Sequence, residues 1–302
     1  MKQRKFNRMA SIYSWNYVMI LPGVVLLFLF AYLPMAGVLI AFKDYDIFTG
    51  VWASKWIGWD NFYFLSDPYF WETIKNTLYI TVYRLIFGFP APIVLALMLN
   101  ELRSMKFKRT IQSISYLPHF ISWIIVAYML QVILALDTGV VNNLLQLFGA
   151  GQISFMGRPE YFRFIIVVSA IWKDIGWGTI IYLAALTNIS QEQVESAMLD
   201  GAGRIARIWH INIPGIMPVI TILLILYMPM LLSAGYDQIY PLVNPSNLEV
   251  SNVLDVYVIR LGLAQSQFSV ATAIGLFSSV IQLALVLAVN YAIKKKGLEG
   301  LW

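Results

Sequence analysis

Residues 17–42 read YVMILPGVVLLFLFAYLPMAGVLIAF and carry no charged side chain. A stretch of this length covers the hydrocarbon core of a bilayer, which needs about 20 helical residues. It decides the fold class, because backbone in lipid must satisfy its own hydrogen bonds, and a helix does so within one segment. Further apolar blocks lie at 74–99, 111–136, 162–186, 215–234 and 270–293. The expectation is an all-α integral membrane protein with six transmembrane helices. Composition agrees: of 302 residues, 59% are hydrophobic and 12% charged, the latter about half the share of a typical soluble domain. Pro22, Pro34, Pro90, Pro92, Pro118, Pro218 and Pro229 fall inside the blocks. So many prolines suggest kinked helices around a pathway. The first block is too long for a signal-peptide core and lacks a small-x-small cleavage site, so it is read as a retained span.

The net charge is +5, from 21 Lys+Arg against 16 Asp+Glu. The basic residues sit at block ends, which points to lipid headgroups rather than nucleic acid. With the N-terminus in the cytoplasm, thirteen of them fall on the inner side: Lys2, Arg4, Lys5, Arg8, Arg103, Lys106, Lys108, Arg109, Arg204, Arg207, Lys294, Lys295 and Lys296. Six fall outside: Lys43, Lys55, Lys75, Arg158, Arg163 and Arg260. That asymmetry puts both termini in the cytoplasm. The expected organisation is a cytoplasmic segment 1–16, a membrane domain 17–293 with a cytoplasmic loop 187–214, and a cytoplasmic tail 294–302. The first outer loop is rich in Trp, Tyr and Phe, as in an interfacial aromatic belt. The outer stretch 137–161 suggests a short interfacial or re-entrant helix, and 235–268 is read as the last outer loop.

The loop between spans four and five carries more than a connection needs. It runs from Ser190 to Pro214 as QEQVESAMLDGAGRIARIWHINI between those two residues. Ser190 and Gln193 form a capping-box pattern, residues 191–199 are mostly helix formers, and Asp200-Gly201 is a turn signal. A second helix is expected to run toward Pro214, which ends it or bends the chain into span five. The residues alone leave open whether this element docks on a soluble partner or lies on the membrane as a hairpin.

Glu195-Ser196-Ala197, Asp200-Gly201-Ala202, then nine residues to Ile211-x-x-Pro214, resembles the coupling motif of permeases of binding-protein-dependent ABC importers. Ser196 replaces an Ala of that motif, and Ile213 replaces a Leu. The Asp-Gly-Ala form resembles the carbohydrate-uptake branch, the relatives of the maltose permeases, and its oligo- and polysaccharide members. Tyr116-Leu117-Pro118 and the later Gly139-x-x-Asn142 fall in the family's order. The resemblance implies a type I ABC importer permease fold with a cytoplasmic coupling helix in a bacterial cell membrane. It implies a second homologous permease, a dimer of ATP-binding subunits and an extracytoplasmic solute-binding protein as partners. The chain has no Gly-x-x-x-x-Gly-Lys-Ser/Thr loop, so ATP and Mg belong on the partner ATPase and no cofactor is expected here.

Ionisable groups at membrane depth are costly and therefore functional candidates. Span four holds Lys173, Asp174 and Trp177, which face a wet cavity or lie near the outer headgroups. His119 and Trp123 of span three are four apart, on one helical face. Tryptophan faces stack on sugar rings, and charged groups hydrogen-bond hydroxyls. The resemblance places these five residues, with Met230, Leu231 and Ala234 of span five, at or near sugar-contacting positions. The last three are apolar where maltose-type permeases are polar, which argues against maltose and leaves open which sugar is carried. Arg84 has no such match and is expected to pair with a neighbouring helix or backbone carbonyls. His119 and His210 are the two histidines, and there is no cysteine. No carboxylate pair or metal-ligand spacing suggests an enzyme. The expected function is import of a sugar, with a non-sugar solute of the same importer class as the alternative.

Overall fold

The computed structural model describes residues 2–298 and 300–301, with side chains from Trp15 onward. The side chains of Lys2, Arg4, Lys5 and Arg8, counted above for orientation, lie outside the described ones. The long helices are α1 (Trp15–Phe42), α2 (Pro68–Asn100), α3 (Met105–Phe120), α4 (Trp123–Ile133), α5 (Val140–Leu147), α6 (Pro159–Thr187), α7 (Gln191–Leu199), α8 (Arg204–Leu232) and α9 (Phe268–Lys295). Among the described residues, five are long and apolar enough to cross a membrane, or six if α3 and α4 form one span.

Those two helices meet at an angle of 100°, so the stretch 111–136 read as one span is sharply broken just after Pro118, one of the prolines expected to kink the helices. A 3-10 turn at Leu117–Phe120 ends α3. Ser122 then takes an extended conformation and its hydroxyl accepts from the Ile125 N–H, capping α4. His119 and Trp123 therefore do not share one helical face.

Prolines shape the other spans in a repeated way. Wide π turns occupy Phe28–Tyr32, Arg84–Gly88 and Ile208–Asn212. Each ends two residues before a proline: Pro34, Pro90 and Pro214. In each case the residue ahead of the proline donates to the carbonyl five positions back: Leu33 to Phe28, Phe89 to Arg84, and Ile213 to Ile208. In a regular α-helix the proline ring would strike the carbonyl four back. Opening the turn moves that carbonyl aside and keeps the backbone bonded. For this reason α8 runs unbroken from Arg204 through Pro214 to Leu232; of the two outcomes expected at Pro214, the helix does not end there but continues into span five.

The chain divides into two compact units, 1–64 with 261–276, and 65–260 with 277–302. In the first, an antiparallel pair of two-residue strands, β1 (Lys43–Asp44) and β2 (Lys55–Trp56), pairs Lys43 with Trp56 and follows α1. Asn61 fastens it by donating to the carbonyls of Ala41 and Lys43. Trp52, Trp56 and Trp59 stay exposed.

Among the described residues, the second unit shows two apolar cores. One joins Leu97 and Leu99 of α2, Tyr182 and Leu186 of α6, and Ile216 of α8. The other packs Ile80, Ala127, Phe162 and Ile166 against Ile239 and Val253. The latter two come from the stretch expected to be an outer loop. Up to Arg260 it is instead a folded part of the core, built from the short helices Tyr236–Ile239, Leu248–Ser251 and Leu254–Ile259. In the stretch 137–161, Asn142 is buried and holds the chain after α5 by donating to Ala135 O and Ile153 O and accepting from Ile153 N–H.

Candidate functional site: a charged aromatic cavity and an exposed helical turn

Lys173 and Asp174 lie in the middle of α6, with Lys173 only 5% exposed. A buried ammonium needs partners. Its Nζ donates to the His119 carbonyl at 2.5 Å and stands 5.3 Å over the Trp123 ring. Carbonyls in the last turn of a helix lack a partner within it, so the break after α3 supplies the acceptor. Asp174 Oδ1 accepts from His119 Nδ1 at 3.0 Å. The His119 ring stacks on Trp177, 4.6 Å between centroids and 3° from parallel, and Phe120 meets Trp177 edge-on. The five residues singled out in spans three and four thus form one cluster. His119 covers one face of Trp177 and the Lys173 ammonium stands over Trp123, while Trp123 also lines the cavity described next.

Beside the cluster lies a cavity of about 250 Å³ lined by Arg84, Trp123, Asp174, Tyr227, Met230 and Gln238, among others. Arg84, at the start of the π turn in α2, donates through Nη1 to Ala234 O at 2.6 Å and through Nη2 to Gln238 Oε1. Gln238 passes the tie to α6 by donating to Ile166 O and Ser169 Oγ. Asp255 Oδ2 accepts from Gly235 N–H and Ser233 Oγ, clamping the turn that presents Ala234 O. Burial pushes the Asp255 carboxyl above the usual carboxylate range, against the pull of those hydrogen bonds and of the Arg84 charge.

Of the three apolar residues placed here from span five, Met230 lines the cavity. Leu231 and Ala234 do not. Leu231 gives its carbonyl to Thr81 Oγ1, and Ala234 is buried in the apolar core. Tyr227, Gln238 and Asp255 were not singled out by sequence. Asp255 and Gln238 lie in a stretch whose polarity reads as loop, and a tyrosine near a span end reads as an interfacial anchor.

The second feature is the turn after α7. Leu199 is followed by a Schellman closure: Ala202 N–H bonds Ala197 O at 2.8 Å, and Gly201 has φ +82°. The expected capping box is absent, since the Ser190 side chain makes no cap bond. Glu195, Ser196 and Asp200 are exposed. So are Leu199, at 89%, Ile205 and Trp209. A hollow of about 640 Å³ gathers Ser196, Ala197 and Asp200 with Ile211 and Pro214 from α8. Gly201 and Ala202 form the turn beside it, and Glu195, though exposed, is not among the residues that line it.

Residues 88–294 match the family of binding-protein-dependent transport system inner membrane components. The chain belongs to this family. It is a multi-pass permease subunit and not itself an enzyme. It is 46% identical over 290 residues to Protein LplB of Bacillus subtilis (strain 168), covering 96% of this chain and 91% of that protein. It is 44% identical to the polygalacturonan/rhamnogalacturonan transport system permease protein YteP of the same organism, covering 96% and 90%. Among solved structures it is similar to a chain of a bacterial ABC transporter involved in import of the acidic polysaccharide alginate. That match has TM-score 0.88 and 38% identity, over 97% of this chain and 99% of that one.

Proposed function

We propose that this permease is one of two membrane subunits of an ATP-driven importer that passes an oligosaccharide handed over by an external solute-binding protein. The observation that carries the reading is the cavity beside the His119–Asp174–Lys173 cluster, walled by Trp123 and Tyr227 among the charged groups Arg84, Asp174 and Asp237, with Trp177 stacked on His119 in the cluster itself. Such walls suit a sugar, whose C–H faces stack on aromatics while its hydroxyls need charged partners. The names of the relatives support this choice, since their substrates are polysaccharides or fragments of them. Fragments of alginate and of polygalacturonan/rhamnogalacturonan are the first substrates to supply.

In this reading the chain sits in a bacterial cell membrane with both termini in the cytoplasm. Glu195, Ser196, Ala197, Asp200, Gly201, Ala202, Ile211 and Pro214 dock on one ATPase subunit, and closure of the ATPase dimer turns the cavity outward by rocking helix bundles. His119, Trp123, Lys173, Asp174, Trp177 and Met230 form the cargo site, with Leu231 shaping it from behind through its backbone. ATP and Mg are held by the partner.

Losing one stacking face costs about 1–2 kcal/mol, roughly 5- to 30-fold in affinity. Trp123→Ala and Trp177→Ala should lower uptake by that factor in liposomes holding the whole importer, and Asp174→Asn should lower it too. Assembly with the ATPase should be unchanged. Normal uptake in all three variants would remove these residues from the cargo path.

A further inference from the structure

Two charges in this chain sit at unfavourable ends of their helices. Glu101 is the C-cap of the helix that ends α2, at the negative end of its dipole. Arg207 lies in the first turn of α8, at the positive end. Neither placement helps its own helix, yet the two meet: Arg207 Nη2 is 3.2 Å from Glu101 Oε2. Their side chains are 14% and 19% exposed, so the pair is shielded from solvent. Arg204 also approaches the same oxygen, at 3.9 Å, but is 61% exposed.

Arg207 has a second contact. Its Nη1 donates to the carbonyl of Ala202 at 3.3 Å, the residue that closes the turn after α7. One guanidinium therefore bridges that turn to the end of α2. Along the chain the turn is continuous with α6 through α7 and with α8. Arg84, at the cavity, lies on α2 about 25 Å from Glu101 at 1.5 Å per residue.

We propose that Arg207 is a positioning residue that passes movement of the coupling turn to α2 through Glu101, and so to the Arg84 side of the cavity. A push on the turn then reaches the cargo site along two helices: α8 through the backbone, and α2 through this ion pair. The proposal rests on the importer reading above. A fixed, hydrogen-bonded link between two rigid elements is what a mechanical connection requires. Because the guanidinium engages a carboxylate and a carbonyl together, its geometry is more restrictive than a point charge would be.

The test uses the whole importer, isolated through a tag on this chain and reconstituted in liposomes with its binding protein. Arg207→Ala and Glu101→Gln should keep assembly and basal ATP hydrolysis while lowering substrate-stimulated hydrolysis and uptake about ten-fold, the scale of an ordinary coupling between sites. Arg207→Lys, which keeps a donor and the charge, should recover part of the loss. Arg204→Ala should stay within about two-fold, as expected of an exposed pair. If Arg207→Ala does not assemble, Arg207→Gln carries the same expectation. An unchanged ratio of stimulated to basal hydrolysis in the Arg207 and Glu101 variants overturns the proposal. So does a loss that only follows the melting temperature and is not recovered by Arg207→Lys. A wild-type importer without substrate-stimulated hydrolysis overturns the importer reading and this proposal with it.

Discussion

At the scale of single residues, the cluster depends on a glycine. A Cβ at Gly176 would lie 2.0 Å from the Ser115 carbonyl oxygen and 2.8 Å from the Tyr116 nitrogen. The backbones of α3 and α6 meet there, one turn from where Lys173 reaches the His119 carbonyl. A clash with backbone cannot be relieved by a rotamer change, and overpacking of this kind costs about 1–3 kcal/mol. Gly176→Ala should lower the melting temperature of the purified importer by several degrees, on the scale of a few degrees per kcal/mol, and reduce uptake with it. A variant that melts with wild type would show that the two helices separate freely at this point. Lys173 and Asp174 were legible in the sequence because ionisable side chains inside an apolar run are costly and rare. Gly176 was not, since the need for a bare backbone depends on what crosses it from another segment.

At the scale of elements, the turn after α7 shows how little a glycine's surroundings have to do with its necessity. Nothing lies within 4 Å of a Cβ built on Gly201, so its constraint is the φ of +82° alone. An ordinary side chain in that conformation costs about 1–2 kcal/mol, and asparagine less. Gly201→Leu should weaken substrate-stimulated ATP hydrolysis while the spans still insert, and Gly201→Asn should retain most of it. Equal stimulation in both would mean the turn only connects. The turn itself was readable from Asp200-Gly201, because its chemistry is local. The break between α3 and α4 was not, although Pro118 and Ser122 mark it. Lipid is apolar on both sides of the bend, so hydropathy runs through it without a change. The folded stretch 236–259 was missed for the opposite reason. Its helices are four to six residues long, too short for periodicity to register, and they are buried by packing on one another and on residues distant in sequence, such as Ile80, Ala127 and Ile166.

At the scale of the molecule, apolar side chains that face neither of the two cores are many. A groove of about 290 Å³ between α4 and α6, walled by Val126, Met129, Leu130, Phe164, Val168 and Trp172, is almost free of polar atoms. Leu283, Leu287 and Tyr291 of α9 are exposed. Lipid or a second permease can cover such faces. Purified in detergent without partners, the chain should be unstable or inactive, and it should form a defined one-to-one complex when produced with its homologous permease. A transport-competent monomer or homodimer would contradict that expectation. The wide turns before Pro34, Pro90 and Pro214 carry a further implication for how such a chain changes length over generations. A π turn holds one residue more than the α-helix around it, so it marks the place where an extra residue can be absorbed. Removing one residue within 28–32, 84–88 or 208–212, together with exchanging the proline that follows, leaves the helical faces above and below still aligned. Removing one anywhere else in these spans rotates one half against the other by about 100° and turns a lipid-facing stripe toward the core.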